Sequence, residues 1–357
     1  MLAKLEKETT MPNMKPAELI DFVTQIFIGA GAEADTAKLV AASLVASDMA
    51  GHESHGTVRV RQYLDQIGRG DINPTGKPEI VMDNGAVFNV DANSSFGQLS
   101  ASFTVREAVK RAKQYGISAG GLFHSGHVGR LGEWVEMAAE EDTIAIAYCN
   151  GGGPAPGRVA PFGAAEPILG TNPVAAGIPV GGDEQPVLMD FATSAVAEGK
   201  VRVARNRGKS IPEGWVLDKN GMPTTTPADL YDGGVLLCSA GHKGYGLSLL
   251  VEFLGGLLAG NSVPGLPDYK PRNGVLFIVL DIAPFKPLDQ WMEESGEYVK
   301  NVRKLRPAPG FNEVLLPGDP EHRNTVARAE SGVDVDDTTW GYLTDAAAEY
   351  GIPVPAV

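Results

Sequence analysis

Two cysteines in 357 residues, Cys149 and Cys238, exclude a disulfide framework and leave no Cys-x-x-Cys metal spacing. They fit a reducing, cytoplasmic setting in which both are buried thiols. Cations are also scarce: 30 Lys and Arg against 44 Asp and Glu give a net charge of −14. That balance argues against a nucleic-acid surface and against docking to an anionic membrane. An anionic small-molecule substrate is repelled by the global field and needs a locally cationic pocket. No apolar run approaches the roughly 18 residues of a membrane span, and residues 1–19 lack the apolar stretch of a secretory signal. Two phosphate-binding signatures are absent as well. There is no G-x-G-x-x-G after a strand and no G-x-x-x-x-G-K-[ST], so neither a Rossmann fold nor a P-loop is expected.

What is present is ordinary globular material, 43% hydrophobic and 21% charged, with 44 Gly and 25 Pro marking many loops. The first quarter is helical in pattern. Leu19, Phe22, Val23, Ile26 and Phe27 follow Pro16 at helical spacing, an alanine-rich helix covers about 34–49, and a third starts after Ser54, a natural N-cap. The pattern changes near Pro74. A hairpin is expected at 80–90 around Asn84-Gly85, then helix 101–113, strand 117–123, helix 129–139 and strand 143–148. Short strands follow at 174–178 and 187–190, a hairpin turn at 219–221, a long apolar helix at 243–258 and a buried strand at 275–280. The expected fold class is α+β, divided into a helical N-terminal segment 1–75, an α+β body 76–285 and a helical C-terminal segment 286–357.

Four clusters carry candidate chemistry. In His52-Glu53-Ser54-His55-Gly56, followed by Arg59 and Tyr63, the steps from His55 are i+4 and i+8. On one helix face these place an acid/base imidazole, a guanidinium for a carboxylate and a phenol along one wall; alternatively Ser54 only caps a helix. The turn His124-Ser125-Gly126-His127-Val128-Gly129-Arg130-Leu131-Gly132 links a strand to a helix, where backbone N–H groups can hold a phosphate. In Asp190-Phe191-Ala192-Thr193-Ser194, an acid closes a strand and Thr-Ser opens a helix. Asp190 either fixes a histidine tautomer or caps that helix. In Gly241-His242-Lys243-Gly244-Tyr245-Gly246, a lysine stands between glycines at a helix start, which suits a phosphate or carboxylate. His52/His55 and His124/His127 are also two H-x-x-H pairs. A metal-dependent hydrolase is therefore a rival class, although no acidic residue follows in a zincin pattern.

Taken together and in order, the motifs resemble the type-2 malate/L-lactate dehydrogenase family. They are E-S-H-G-x-x-R with a tyrosine four residues on (53–63), S-x-H-x-G (125–129), G-T-N-P (170–173), D-x-A-T-S (190–194), I-P-x-G-W (211–215), N-G-x-P-T-T (220–225), H-K-G-Y-G (242–246) and L-P-G (316–318). The resemblance covers residues 16–350, and H-x-G-R-x-G at 127–132 looks most like the hydroxycarboxylate dehydrogenase branch. It implies a homodimer with a non-Rossmann nicotinamide-binding domain on a mixed or antiparallel sheet, flanked by helices from both chain ends, as in L-sulfolactate dehydrogenase. It implies hydride transfer between NADH or NADPH and a small 2-oxo or 2-hydroxy acid. Cyclic-imine reductases and ureidoglycolate dehydrogenases are alternatives within the family. By motif, Ser54, His55, His127 and Asp190 would be catalytic, and Arg59, Tyr63 and Thr171 would bind substrate. Cofactor contacts would come from His127, Val128, Gly129, Arg130, Leu131, Asp190, Phe191, Ala192, His242, Lys243, Pro317, Gly318 and Asp319, with no metal. One departure stands out: some branches carry a lysine in the loop after the 143–148 strand, where this chain has Asn150-Gly151-Gly152-Gly153.

Overall fold

The computed structural model describes residues 11–151 and 157–356; Gly152, Gly153 and the rest of that loop lie outside the described residues. The chain up to Thr75 contains β1 (Asn13–Met14), α1 (Pro16–Gly29), α2 (Ala34–Met49), a 3-10 turn (Glu53–His55) and α3 (Arg59–Gly68). There follow β2 (Glu79–Asn84), β3 (Val87–Asp91), α4 (Gly97–Tyr115), β4 (Ile117–Ser125), α5 (Leu131–Ala139) and β5 (Thr143–Gly151). Next come β6 (Pro173–Ile178), β7 (Val187–Ala192), α6 (Glu198–Asn206), β8 (Val216–Leu217), β9 (Pro223–Thr224) and β10 (Val235–Leu236). The chain continues through α7 (His242–Val251), a π-helical extension (Glu252–Leu258), β11 (Asn273–Asp281) and α8 (Leu288–Arg303). It ends in α9 (Asp319–Ser331), β12 (Val333–Asp334) and α10 (Asp337–Glu349).

Two compact units result: one runs to Thr75 and resumes at Pro320, and the other is Gly76–Asp319. In the first, β1 pairs antiparallel with β12, so the two ends of the chain share a ladder. Leu19, Val23, Ile26 and Phe27 of α1 are buried, as are Val40, Leu44 and Val45 of α2, which is the helical spacing expected of an inward stripe. Asp336 caps α10 by accepting from the N–H groups of Thr338 and Thr339.

The second unit is built on a seven-stranded mixed sheet in the order β2-β3-β4-β11-β5-β6-β7, in which β3–β4 is parallel and every other pairing antiparallel. A small antiparallel sheet, β10-β8-β9, lies beside it in sequence, closed by the Asn220-Gly221 turn. The central strand β11 is almost wholly buried, as a strand covered on both faces must be. Phe88, Leu122, Trp134, Val135, Val275 and Phe277 form the core between this sheet and α4 and α5. This is the α+β, mixed-sheet, non-Rossmann architecture expected from the sequence. The segment 286–319 groups with the sheet unit, because Trp291 of α8 donates its indole N–H to Pro179 O and Arg303 pairs with Glu184. Among the described residues, no helix is long and apolar enough to cross a membrane.

Candidate active site

In the first unit, Ser54 and His55 sit on the 3-10 turn, and Ser54 Oγ and His55 Nδ1 share a 3.0 Å hydrogen bond. Arg59 donates from Nε to Ser54 O at 2.6 Å and from Nη1 to Gln62 Oε1 at 2.6 Å. A guanidinium and an imidazole are thus tied to one residue. The local fold differs from the expected one. Ser54 does not cap a helix; its hydroxyl is spent on His55, and α3 begins only at Arg59 without a side-chain cap. His55 and Arg59 consequently do not share a helical face. Gly56, at φ −88° and ψ −151°, breaks the helix between them.

The physical cause is Asp48. It is 4% exposed, and its Oδ2 accepts from Thr57 N at 2.9 Å and Thr57 Oγ1 at 2.7 Å. A Cβ on Gly56 would fall 1.7 Å from Asp48 Oδ1, so the turn rests directly on the carboxylate. Burial, with a smaller contribution from Glu53 and against the Thr57 hydrogen bonds, pushes the Asp48 carboxyl up to about 7. Tyr63, on α3, is 1% exposed, and its ring stacks on that of Phe27 with centroids 6.3 Å apart.

In the second unit, three of the segments expected to touch cofactor converge. The His127–Leu131 turn is locked by Val128, whose N–H donates to Asn273 Oδ1 at 3.0 Å and whose carbonyl accepts from Trp134 Nε1 at 2.9 Å. It leads into α5, where Gly132 N–H donates to Asp190 Oδ2 at 2.7 Å. The carboxylate of β7 therefore caps the neighbouring helix, a favourable place for a negative charge. Two residues earlier in β7, Leu188 N–H donates to Pro317 O at 3.0 Å, which docks the 317–319 turn on the same strand. Asp319 itself is engaged by Arg303 and by Leu316 N–H, so that turn presents main chain.

Thr193 and Ser194 do not open a helix, as the sequence had indicated. Thr193 N–H donates to Thr171 O at 3.0 Å, and Ser194 bridges to Cys238; α6 begins only at Glu198. Ser239 N–H then donates to Thr193 O, and Gly244 N–H to Ser239 O. This chain of bonds links Thr171 to the start of α7, where His242 and Lys243 are exposed and His242 lies edge-on to Phe162 at 6.0 Å.

Asn172, between Thr171 and β6, is fully buried at φ +41°, a conformation Asn tolerates better than most residues. It donates to Glu252 Oε1 at 2.8 Å and to Ser248 Oγ at 2.9 Å, and accepts from Gly151 N–H at 3.0 Å. Burial pushes the Glu252 carboxyl above its ordinary range, partly offset by the Asn172 bond. Asn172, Glu252, Asp48 and Arg303 escaped the sequence reading. Only Asn172 had a signal there, as the third residue of G-T-N-P.

His52 faces Glu321 Oε1 at 3.2 Å and His124 faces Asp91 Oδ2 at 3.1 Å. Among the described residues, no group of three or more His, Cys, Asp or Glu could hold a metal ion.

Comparison with known proteins bears on this geometry. A family model for malate/L-lactate dehydrogenase matches residues 14–344. The chain is 33% identical to a malate dehydrogenase of Pyrococcus horikoshii over 94% of both chains, and 34% identical to hydroxycarboxylate dehydrogenase B of Escherichia coli O157:H7 over 94% and 93%. The sulfolactate dehydrogenase structure from Methanocaldococcus jannaschii superposes with a TM-score of 0.88 at 31% identity, covering 96% of this chain and 98% of that one. These relatives are dehydrogenases of hydroxy acids, and the chain is an oxidoreductase of that class. It belongs to the malate/L-lactate dehydrogenase family. The hydrolase alternative is thereby overturned.

Proposed function

We propose that the chain moves a hydride between a nicotinamide cofactor and a small 2-oxo or 2-hydroxy acid, with His55 as the proton donor and acceptor and Arg59 as the carboxylate anchor. The observation that carries this reading is the shared attachment to Ser54: His55 Nδ1 at 3.0 Å from its hydroxyl, Arg59 Nε at 2.6 Å from its carbonyl. In a 2-oxo acid the carboxylate and the carbonyl are adjacent carbons, so the cation that anchors one and the acid that protonates the other must be held close together. With Nδ1 committed to Ser54, proton exchange falls to Nε2. The Ser54 and Gln62 bonds hold the guanidinium in a fixed orientation, so its charge is in place before substrate arrives. Thr171 is proposed to assist at the substrate.

The sheet unit has residues that fit a nicotinamide dinucleotide. Arg130 is 7% exposed, pairs with Glu136 at 3.0 Å, and its buried Nε has no hydrogen-bond partner among the described residues. Such an orphaned cationic donor at a helix start suits a phosphate or another polar cofactor group. Lys243 at the start of α7 supplies a second cation on an acidic chain. When bound, the cofactor supplies or accepts the hydride. His127, Val128, Gly129, Leu131, Asp190, Phe191, Ala192, His242, Pro317 and Gly318 are proposed as its other neighbours. Of the cations open to an NADPH 2'-phosphate, Arg130 holds Glu136 and Arg205 lies over the Tyr231 ring at 3.9 Å, which favours the exposed Arg202.

We also propose a homodimer in the cytoplasm. Leu247, Leu250, Phe253, Leu257 and Leu258 form an exposed apolar row along α7 and its extension, and both cysteines are unpaired and buried. The test is a panel of 2-oxo acids and cyclic imines with NADH and NADPH, followed at the nicotinamide absorbance. Turnover of 2-oxo acids, lost in His55→Ala, is expected. Turnover confined to imines would reject the substrate class.

A further inference from the structure

Helix α9 buries none of its residues, yet it is a regular helix of 13 residues. A helix with no buried apolar stripe needs polar contacts to hold it in place, and here these fall on one short stretch of chain. Glu321 Oε1 lies 3.2 Å from His52 Nε2, Asn324 Nδ2 donates to Ala50 O at 3.3 Å, and Arg328 pairs with Glu53 Oε1 at 2.9 Å. Arg328 Nη1 also donates to the main-chain carbonyl of Asp48. Positions 321, 324 and 328 are three and then four residues apart, so they line one face. The approach is tight: a Cβ on Gly51 would fall 2.6 Å from Asn324 Nδ2. From the other side, Asp48 of α2 holds Thr57 and Gly56. Residues 50–57 are thus gripped at both ends, by α9 before the Ser54–His55 pair and by Asp48 after it.

We propose that Arg328, Asn324 and Asp48 are positioning residues that fix the main chain of this turn and thereby set the ring of His55 against Ser54. None of them has any other assigned part in the chemistry. The idea deepens the proposed function and rests on its assignment of His55. Physically, a 3-10 turn of three residues ending at an extended glycine has little intrinsic preference to keep its shape. Its side chains are aimed by whatever holds its carbonyls and N–H groups.

The test reads the ring directly. The full-length protein labelled with 15N-histidine reports the tautomer and pKa of each of the six histidines, and His55 is assigned by the signal lost in His55→Gln. One dominant His55 tautomer is expected in the parent. In Arg328→Met, and less severely in Asn324→Ala, the signal should move toward the averaged values of a free imidazole, and Arg328→Lys should restore part of the parental state. Oxaloacetate and pyruvate reduction with NADH are measured on the same proteins. A fall in kcat of roughly ten- to a hundredfold is expected, the range that small misplacements of reacting groups produce, with cofactor affinity within twofold. A His55 tautomer and pKa unchanged in both folded variants overturns the clamp, even if their melting temperatures fall. A shifted tautomer with unchanged turnover upholds the clamp and overturns His55 as the proton donor.

Discussion

Arg303 grips Asp319 through both terminal nitrogens, Nη1 to Oδ2 at 2.5 Å and Nη2 to Oδ1 at 2.7 Å, while its Nε reaches Glu184 at 3.1 Å. Asp319 Oδ2 also accepts from Leu316 N–H at 2.7 Å. One guanidinium thus closes the turn whose Pro317 carbonyl docks on β7, next to Asp190. The bidentate geometry is specific to arginine, and the pair raises the Arg303 pKa further still.

If that turn contacts cofactor, Arg303→Met should weaken nicotinamide binding about tenfold, the equivalent of one charged hydrogen bond of roughly 1.5 kcal/mol. Arg303→Lys keeps the charge but loses the fork and should fall between the two. Fluorescence titration with NADH reads both. An affinity within twofold of the parent in Arg303→Met would remove the 317–319 turn from the cofactor site.

The Asp48 carboxyl predicts a pH dependence of stability. Its folded-state pKa is raised from the ordinary 3.8 to about 7, chiefly by burial. Between those values the folded chain binds more protons than the unfolded chain, so this group's contribution is full below about pH 4 and is lost as pH rises to about 7. Asp48→Asn keeps an acceptor for Thr57 but cannot ionise. The unfolding free energy of the variant relative to the parent, read from denaturant melts, should therefore be higher at pH 8 than at pH 5, by an amount on the order of 3 kcal/mol for a shift of this size. An equal difference at both pH values would show that Asp48 titrates as an ordinary surface acid.

Much of this was legible in the sequence, and the misses share a cause. Asn84-Gly85 announced the β2–β3 hairpin because a tight turn needs those residues, and the unbroken apolar run of β11 announced a strand covered on both faces. The order β4-β11-β5 was not legible, since it pairs strands more than a hundred residues apart through a pattern any buried strand would satisfy. At the site, Ser54 read as a helix cap because Ser before a periodic stretch usually is one. What overrode it was Asp48, nine residues before Thr57, bonded to a turn that no local rule connects to it. Helix α9 lacks an apolar stripe, so nothing in its own sequence says what it docks against.

Arg59 should govern substrate rather than cofactor. Its Nε and Nη1 are held by Ser54 and Gln62, which fixes its orientation before substrate arrives. Arg59→Met should raise KM for 2-oxo acids by an amount equivalent to about 2–5 kcal/mol, the cost of losing one charge-assisted pair. NADH affinity should stay nearly constant. A substrate KM that does not move for any 2-oxo acid turned over would assign the carboxylate to another cation.

Two histidines compete for the proton, and their surroundings differ. His55 is paired with the Ser54 hydroxyl, and its turn also holds Arg59. The turn that carries His127 is fixed through the main chain of Val128, which suits a residue that lines a binding site. General acid–base catalysis by a positioned side chain contributes roughly 10²–10⁴-fold, so His55→Ala should lower kcat by that range. The near-neutral limb of its pH–rate profile should disappear with the ring, because an imidazole is the group whose ordinary pKa lies there. His127→Ala should instead weaken substrate or cofactor binding while the limb survives. Ser54→Ala provides an intermediate case. It removes the partner of Nδ1 but leaves the ring, so kcat should fall less than in His55→Ala and the limb should shift without vanishing. Profiles of all three variants at saturating NADH decide the matter. A limb that survives in His55→Ala and vanishes in His127→Ala reverses the two roles.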